Sequence, residues 1–300
     1  MAISSGRSGR SSGPCSRALA AMMTVMLGAG DAGAGDVGPT QREIVLRAMR
    51  DRPGDPWPRG RAHVVLAVPG SQQAEKGYLE PGGSASPAVG SFGVSIWGRD
   101  AAGNLRTTSD GVPMDGVRQR LSWPNPGGIP SIATTTTDYE ATWSCRDSGD
   151  LVLDLAPQGN GGRLEVAVRS VGPAGGPITK IAFDDGSLTV NDRWAATIDP
   201  APVAVAVGHE GDPGWRDGRT SSRRWEGSDG WGFARLGLEA GRPARLTLHQ
   251  LARRQPSPLR YPAVRSTLEL NLPDPRFKES LDAQVAHLMM GLLDRGRLGA

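Results

Sequence analysis

The chain has 300 residues, of which 38% are hydrophobic and 22% charged, and its formal net charge is +3 at pH 7. This length suits one large domain or two ordinary ones with a substantial core, and glycine and proline stay below the level typical of disorder. Arginines near the N-terminus account for most of the excess charge. A nucleic-acid-binding protein needs a basic face for phosphates, so nucleic acid is not an expected partner.

Residues 1–34 are predicted to be a secretory signal peptide. A basic segment, 1–17, precedes an apolar run, 18–30, and Ala32-Gly33-Ala34 matches a cleavage pattern of small residues. The apolar run is shorter than the roughly 20 residues that cross a membrane, and no later segment is long enough, so no membrane span is expected. The alternative is a buried N-terminal helix. We expect a secreted or periplasmic protein whose mature chain begins near Gly35.

The sequence contains two cysteines, Cys15 and Cys145. Cleavage of the signal peptide would remove Cys15 and leave Cys145 without a partner for an intrachain disulfide. Cys145 ends an alternating run, DYEATWSC, in which a buried structural thiol is favoured over a nucleophile. The fold is therefore expected to depend on its hydrophobic core alone.

Residues 35–60 are predicted to form a short helix and a linker. Thr40 and Glu43 have the spacing of a capping box, in which each side chain accepts a hydrogen bond from an otherwise unpaired backbone N–H. Three prolines within 51–60 then prevent the helix from continuing.

Residues 61–272 are predicted to form a large antiparallel two-sheet sandwich of the supersandwich type, so the fold class is mainly β. About thirteen β-prone runs, each bounded by turn residues, follow one another without helical patterns between them. Alternation in 163–170 and 244–251 predicts one buried and one solvated strand face. Asp184-Asp185-Gly186 predicts a hairpin turn. The run 132–144 is predicted to be a single strand.

Residues 273–300 are predicted to begin a second, helical domain. Asp274 as N-cap and Pro275 at the first helical position indicate a helix start, and the helix is expected to reach residue 293. Its apolar residues recur at spacings of three or four along one stripe, formed by Phe277, Leu281, Val285, Leu288 and Leu292. Such a stripe needs a surface to pack on, either the sandwich or further helices.

Three segments resemble bacterial six-hairpin glycosidase-like proteins: GVPMDGVRQRLSW (111–123), GPAGGPITKIAFDD (172–185) and DPRFKESLDAQVAHLMM (274–290). In that family a supersandwich domain precedes an α/α-toroid of the glucoamylase kind, whose loops carry the catalytic carboxylates. The resemblance implies an exported glycoside hydrolase-like protein of which this chain includes the sandwich and the first toroid helix. It assigns no catalytic residue, and it implies that the toroid domain is the intramolecular partner of the sandwich.

The region 208–233 combines tryptophans with carboxylates, which is typical of a sugar-binding platform. Trp215 and Trp225 could stack on the C–H faces of a sugar, while Glu226 and Asp229 accept hydrogen bonds from its hydroxyls. These four residues are the predicted substrate-binding residues, and carbohydrate is the expected partner. The alternative is that the tryptophans fill the sandwich edge or a domain contact. The four histidines lack the spacing of a zinc helix, so neither a metal nor another cofactor is expected.

The leading hypothesis is a non-catalytic N-terminal sandwich part of an exported glycoside hydrolase-like protein that acts on carbohydrate. One alternative is a stand-alone carbohydrate-binding or cell-surface structural β-sandwich module. Another is a periplasmic structural sandwich unrelated to sugars. A fold alone does not decide among them.

Overall fold

The structure is a computed structural model that describes residues 50–51, 64–69, 75–122, 129–159, 162–170, 172–217, 222–251, 273–293 and 297–298. All of them lie in one compact unit, 38–300. The predicted signal peptide, most of the predicted helix and linker at 35–60, and residues 252–272 at the end of the predicted sandwich lie outside the described residues.

The predicted mainly-β fold is confirmed, because the described chain forms two antiparallel sheets followed by a helix. The strands are β1 (Val64–Leu66), β2 (Gly77–Leu79), β3 (Ala85–Ser86), β4 (Gly93–Arg99), β5 (Leu105–Thr108), β6 (Arg118–Ser122), β7 (Ser131–Thr135), β8 (Tyr139–Cys145), β9 (Leu151–Pro157), β10 (Arg163–Arg169), β11 (Lys180–Asp184), β12 (Ser187–Val190), β13 (Trp194–Asp199), β14 (Ala204–His209), β15 (Arg224–Glu226), β16 (Gly232–Gly237) and β17 (Ala244–Gln250). Eight of them form sheet A in the order β1-β2-β3-β4-β10-β16-β14, with β5 also pairing with β4. Nine form sheet B in the order β15-β11-β12-β13-β17-β9-β8-β7-β6.

The hydrophobic core lies between the two sheets. Val166 in β10 is opposite Ile96 in β4 and Leu236 in β16, so the three side chains share the inner face of sheet A. The residues predicted to alternate towards the core are buried in it: Leu164, Val166 and Val168 in β10, and Leu246 and Leu248 in β17. Cys145, at the end of β8, is also buried in this core, as predicted.

The hairpin predicted at Asp184-Asp185-Gly186 joins β11 to β12. Asp185 has φ 48° and Gly186 has φ 79°, so both central residues lie in the left-handed region that a type I′ turn requires. Asp184 pairs with Ser187 across the turn. The aspartates and the glycine therefore fix the register of these two strands.

The prediction of one strand over 132–144 is wrong, because a turn divides this run into β7 and β8. Thr136 Oγ1 accepts hydrogen bonds from the backbone N–H groups of Asp138, at 3.2 Å, and Tyr139, at 3.1 Å. A threonine hydroxyl bonded in this way stabilises a turn in place of the sheet ladder.

The centre of the outer face of sheet A is also buried. A second hydrophobic cluster covers it, formed by Trp97, Ala167, Ala206, Trp215 and Phe233. Trp215 belongs to the segment 210–217, which follows β14 and which we call the strap. The strap makes β4, β10 and β16 buried on both faces, so the solvated face predicted for 163–170 is wrong.

At the other edge of the fold, β6 is the terminal strand of sheet B and pairs with β7 alone among the described strands. Arg118, Gln119 and Arg120 are exposed, and Leu121 is 38% exposed although it lies opposite the buried Ile132. Sheet A therefore does not cover this strand.

Helix α1 (Pro275–Met290) begins as predicted. The Asp274 carboxylate accepts a hydrogen bond from the Arg276 backbone N–H at 3.0 Å, and Pro275 occupies the first helical position. The Arg276 guanidinium also binds this carboxylate and lowers the pKa of Asp274 below its ordinary value. The helix ends at Met290, before the predicted residue 293, because Leu292–Leu293 pairs with Arg297–Leu298 as a short two-stranded sheet.

Helix α1 contacts the sandwich through the face opposite to the predicted apolar stripe. Ala286 and Met290 are buried, and the Met290 carbonyl accepts a hydrogen bond from the Lys76 ammonium group. Phe277 is 65% exposed and Leu288 is 60% exposed. Nine positions separate Phe277 from Ala286, which is about 180° of helical rotation.

Within the described residues, no helix has the length and apolar character needed to cross a membrane.

Candidate functional site

The structure separates the four predicted site residues into three environments. Trp215 lies in the strap on the outer face of sheet A. Trp225 and Glu226 belong to the edge strand β15, and Asp229 lies in the turn before β16.

The Trp215 ring is enclosed by other side chains and is only 9% exposed. Its centroid lies 5.7 Å from that of Trp97 and 5.4 Å from that of Phe233. The guanidinium carbons of Arg169 and Arg216 lie 5.2 Å and 4.9 Å from the ring centroid, close enough for cation–π attraction. Trp215 therefore offers little surface to a ligand, and its contacts hold the strap on the sheet.

A buried ion network beneath Trp215 anchors the strap and a second loop. Arg169 donates from Nη1 to Asp110 Oδ2 at 3.2 Å and from Nη2 to Glu210 Oε2 at 3.0 Å. All three side chains are almost fully buried, and Ser170 also donates its hydroxyl to Glu210 at 3.2 Å. Buried charges of this kind need their partners, because one left alone is strongly destabilising.

A second network fixes the middle of the strap. Glu165 accepts from Arg99 at 2.8 Å and from Arg235 at 3.5 Å, and both arginines also donate to the backbone carbonyl of Arg216. Burial lowers the pKa of Arg235 from its ordinary value, an effect that the Glu165 carboxylate opposes. Two buried networks of three ions each thus hold the strap in a single position.

Trp225 is half-buried and its ring is held rigidly at the edge of sheet B. His209 stacks on it with a centroid distance of 5.7 Å and an interplanar angle of 29°. A Cβ added at Gly227 or Gly232 would lie 2.6 Å from the ring, so the indole packs directly on these glycine backbones. Trp225 also packs against the inter-sheet core, which leaves part of the ring accessible in a fixed orientation.

His209 and Asp229 form a hydrogen-bonded pair beside the Trp225 ring. His209 Nε2 lies 2.6 Å from Asp229 Oδ2, and Nδ1 accepts the Gly211 backbone N–H at 3.0 Å. Because Nδ1 is an acceptor, the proton of the neutral ring is on Nε2 and is donated to Asp229. Asp229 Oδ1 accepts a hydrogen bond from the backbone N–H of Trp231 at 3.2 Å. Both imidazole nitrogens are therefore occupied, and His209 has no nitrogen left to act as a general base.

Glu226 lies on the opposite face of β15 from Trp225, since neighbouring residues of a strand point to opposite sides. It is exposed and pairs in register with Lys180 of β11. The pKa of Lys180 is raised mainly by its hydrogen bond to Asp192, with a smaller contribution from Glu226. The structure thus brings Trp225 and Asp229 together with His209, and leaves Glu226 and Trp215 apart from them.

Sequence reasoning did not select His209, although it completes this site. His209 and Asp229 are 20 residues apart and come from the end of β14 and the turn before β16. No local pattern links two such positions, and only the pairing of β14 with β16 brings them close. The assembled site is a partly exposed indole with an imidazole stacked on it and a carboxylate bonded to that imidazole, an arrangement that offers an apolar surface beside a hydrogen-bond acceptor.

No protein-family model matches this sequence. No curated protein matches it either. Among solved structures, the fold is similar to that of a family GH92 inverting mannosidase from Bacteroides thetaiotaomicron, with 10% sequence identity and a TM-score of 0.44. The similarity covers 78% of this chain and 37% of the mannosidase chain. At this level it carries no argument about individual residues or about activity.

Proposed function

We propose that this chain is the non-catalytic β-sandwich part of an exported, glycoside hydrolase-like protein that acts on carbohydrate. The observation that carries the proposal is the Trp225 ring, which is half-buried, fixed by His209 and by two glycines, and flanked by the Asp229 carboxylate. A sugar has an apolar C–H face and a polar rim of hydroxyls. The accessible part of a rigid aromatic ring, with the Asp229 carboxylate nearby as an acceptor, complements both, and a rigid side chain loses little entropy on binding.

The geometry of the carboxylates supports a binding role for this site over a catalytic one. Glycoside hydrolysis needs two carboxyl groups that face each other across the scissile bond, about 5–5.5 Å or about 6.5–9.5 Å apart. Asp229 is bonded to His209 and to the Trp231 N–H, and Glu226 points to the other face of β15. The site therefore binds its ligand and leaves the chemistry to another domain.

The exposed stripe of α1 supports a sandwich that works beside a helical domain. Phe277 and Leu288 are exposed on one side of the helix, while Ala286 and Met290 hold the other side on the sandwich. In this proposal the stripe packs on helices of a toroid domain, whose loops carry the catalytic carboxylates. A stand-alone carbohydrate-binding module is the alternative, and it gives the stripe no partner.

Export remains part of the proposal and depends on the predicted signal peptide at residues 1–34. N-terminal sequencing of the protein from the cell that makes it should return a mature start near Gly35. An intact Met1 on the secreted protein would contradict this assignment.

Affinity electrophoresis of residues 35–300 in gels that contain starch, xylan or mannan tests the binding function. At least one polysaccharide should retard the protein, and Trp225→Ala should weaken the binding by about tenfold, the equivalent of about 1.4 kcal/mol. Leu251→Ala, which truncates an exposed apolar side chain elsewhere, is the matched control and should bind like the wild type. Melting temperatures of both variants show whether a loss of binding reflects a loss of folding.

Two results would refute the proposal. One is the absence of retardation by all three polysaccharides, or retardation that Trp225→Ala leaves unchanged. The other is hydrolysis of aryl glycosides by the purified chain that disappears in Glu226→Gln or Asp229→Asn, which would make the sandwich itself catalytic.

A further inference from the structure

A groove of about 540 Å³ opens between β5, the loop that follows it and the β7–β8 turn. Its walls are Leu105–Thr108 on one side, residues 111–113 with Asp115 and Gly116 on the second, and Thr136–Thr137 on the third. Its volume falls within the range of small-molecule sites, roughly 300–1,000 Å³. The groove belongs to different elements from those that hold Trp225.

The walls of the groove are rigid because buried groups hold them from below. In the loop after β5, Asp110 accepts from Arg169 at 3.2 Å and from Ser95 at 3.2 Å. In the β7–β8 turn, the buried Asp138 accepts from the Thr107 hydroxyl and from the Arg106 guanidinium. The groove is therefore formed before any ligand arrives, which lowers the entropy cost of binding.

The lining combines apolar surface with unused polar groups. Leu105 and Pro113 supply the apolar part, above the buried Val112. The Thr108 and Thr137 hydroxyls make no hydrogen bond to another residue that the structure describes. These hydroxyls can each donate one hydrogen bond and accept two.

The charge of the groove favours an uncharged ligand. The Arg106 guanidinium is neutralised by Asp138, so it does not attract an anion strongly. Asp115, which also lines the groove, is exposed and carries a negative charge that repels anions. Organic cations are poorly matched to the hydroxyl-rich and apolar remainder of the lining.

We propose that this groove is a second carbohydrate site, which binds one neutral sugar residue independently of Trp225. The sugar places its C–H face against the side chains of Leu105 and Pro113. Its hydroxyls exchange hydrogen bonds with Thr108, Thr137 and the Asp115 carboxylate. The groove could take a free monosaccharide or the end of a glycan chain, since both present the same ring.

Amide chemical shifts of ¹⁵N-labelled residues 35–300 test the proposal. The probes are methyl α-D-mannopyranoside and methyl α-D-glucopyranoside as neutral sugars, with D-glucuronate as a charged one and a neutral trisaccharide as a chain end. At least one neutral probe should shift the amides of Thr108, Gly111 and Thr137 in a saturable way. A trisaccharide that binds at least as well as its monosaccharide indicates a glycan end, and weaker binding indicates a free sugar.

Thr137→Trp places an indole in the groove and should weaken the binding by about tenfold or more. Thr197→Trp, at an exposed position of β13, adds the same ring elsewhere and should leave the affinity unchanged. Thr137→Val, which removes only the hydroxyl, should weaken the binding several-fold. In Trp225→Ala the groove amides should respond as in the wild type, so failure of the Trp225 site and failure of the groove give different results.

Three outcomes would overturn the inference. The first is that no neutral sugar shifts the groove amides at concentrations that saturate ordinary lectin sites. The second is that D-glucuronate binds there more tightly than the neutral sugars. The third is that Thr137→Trp and Thr197→Trp affect the binding equally.

Discussion

Replacing Arg169 by methionine should be among the most damaging single substitutions in this protein. The methionine roughly preserves side-chain volume but leaves Asp110 and Glu210 without their cation, although both carboxylates remain almost fully buried. Breaking a buried ion pair in this way costs about 3–5 kcal/mol. Domains of this kind are stable by about 5–15 kcal/mol, so the loss is a large share of the total.

The pH dependence of the loss identifies its cause. In Arg169→Met the two carboxylates favour their protonated forms in the folded state, so the folded state binds more protons than the unfolded state. Stability then falls as the pH rises, and the deficit relative to the wild type should be larger at about pH 7 than at about pH 5. A simple loss of packing would give the same deficit at both values.

Urea-induced unfolding, followed by tryptophan fluorescence and by far-UV circular dichroism, measures these free energies. Arg245→Met is the matched control, because Arg245 binds Asp154 in an exposed bidentate pair of sheet B. Exposed pairs contribute about 0–1 kcal/mol, so this variant should stay close to the wild type. If Arg169→Met lost no more stability than Arg245→Met, or if its deficit did not change with pH, the role given to the buried network would be wrong.

Two further predictions concern the site and the core. Gly232→Ala should lower the free energy of unfolding by about 1–3 kcal/mol and weaken polysaccharide binding. The new Cβ would lie 2.6 Å from the Trp225 ring and displace it. Gly98→Ala, where the nearest atoms are at 3.6 Å, is the control and should be tolerated better in both measurements. Burial raises the pKa of Tyr139 well above its ordinary value of 10.0. Above about pH 10 the folded state therefore keeps a proton that the unfolded state loses, and the free energy of unfolding falls as the pH rises. Tyr139→Phe removes this proton and the hydrogen bond to the Gly82 carbonyl. Urea unfolding should therefore show the variant to be about 1 kcal/mol less stable at neutral pH, and its stability should fall less as the pH rises above about 10. If stability fell with pH as steeply as in the wild type, Tyr139 would not be the source of the alkaline loss.

The core-facing sides of the long strands, one hairpin turn and the helix cap could be predicted from the sequence, because each depends on residues that are close together in the chain. Alternation of Leu, Val and Arg identified the core faces of β10 and β17, and two aspartates followed by glycine identified the β11–β12 turn. The cap at Asp274 was equally local. Short strands such as β2, β3, β5 and β15 were missed, since two to four residues are too few to establish a period.

The outer face of sheet A could not be predicted, because its buried residues have the composition of a solvated face. Arg169, Glu165 and Arg235 alternate with apolar residues in their strands, which is the pattern of a face in contact with water. They are buried only because the strap folds over them and supplies Glu210 and the Arg216 carbonyl as partners. Trp215 was selected as a sugar platform from composition, but as part of the strap it packs on Trp97 and Phe233 of sheet A.

The choice of carboxylates at the candidate site had a similar limit. Glu226 follows Trp225 directly in sequence, yet strand geometry sends the two side chains to opposite faces of β15. His209 is distant in sequence and contacts the Trp225 ring. Residues at the edge of such a site are set by which strands pair, and that information is not local.

The exposed edge of sheet B has a consequence for how copies of this protein behave at high concentration. An unpaired edge strand is a template for another strand, and two copies of β6 could join their sheets into one. Antiparallel joining centred on Gln119 would place Arg118 of each copy opposite Arg120 of the other, and joining centred on Arg120 would place that residue opposite itself. Like charges directly across a strand pair are destabilising. The two arginines thus disfavour the joining of two copies into a dimer with one continuous sheet, at an edge that the second sheet leaves open.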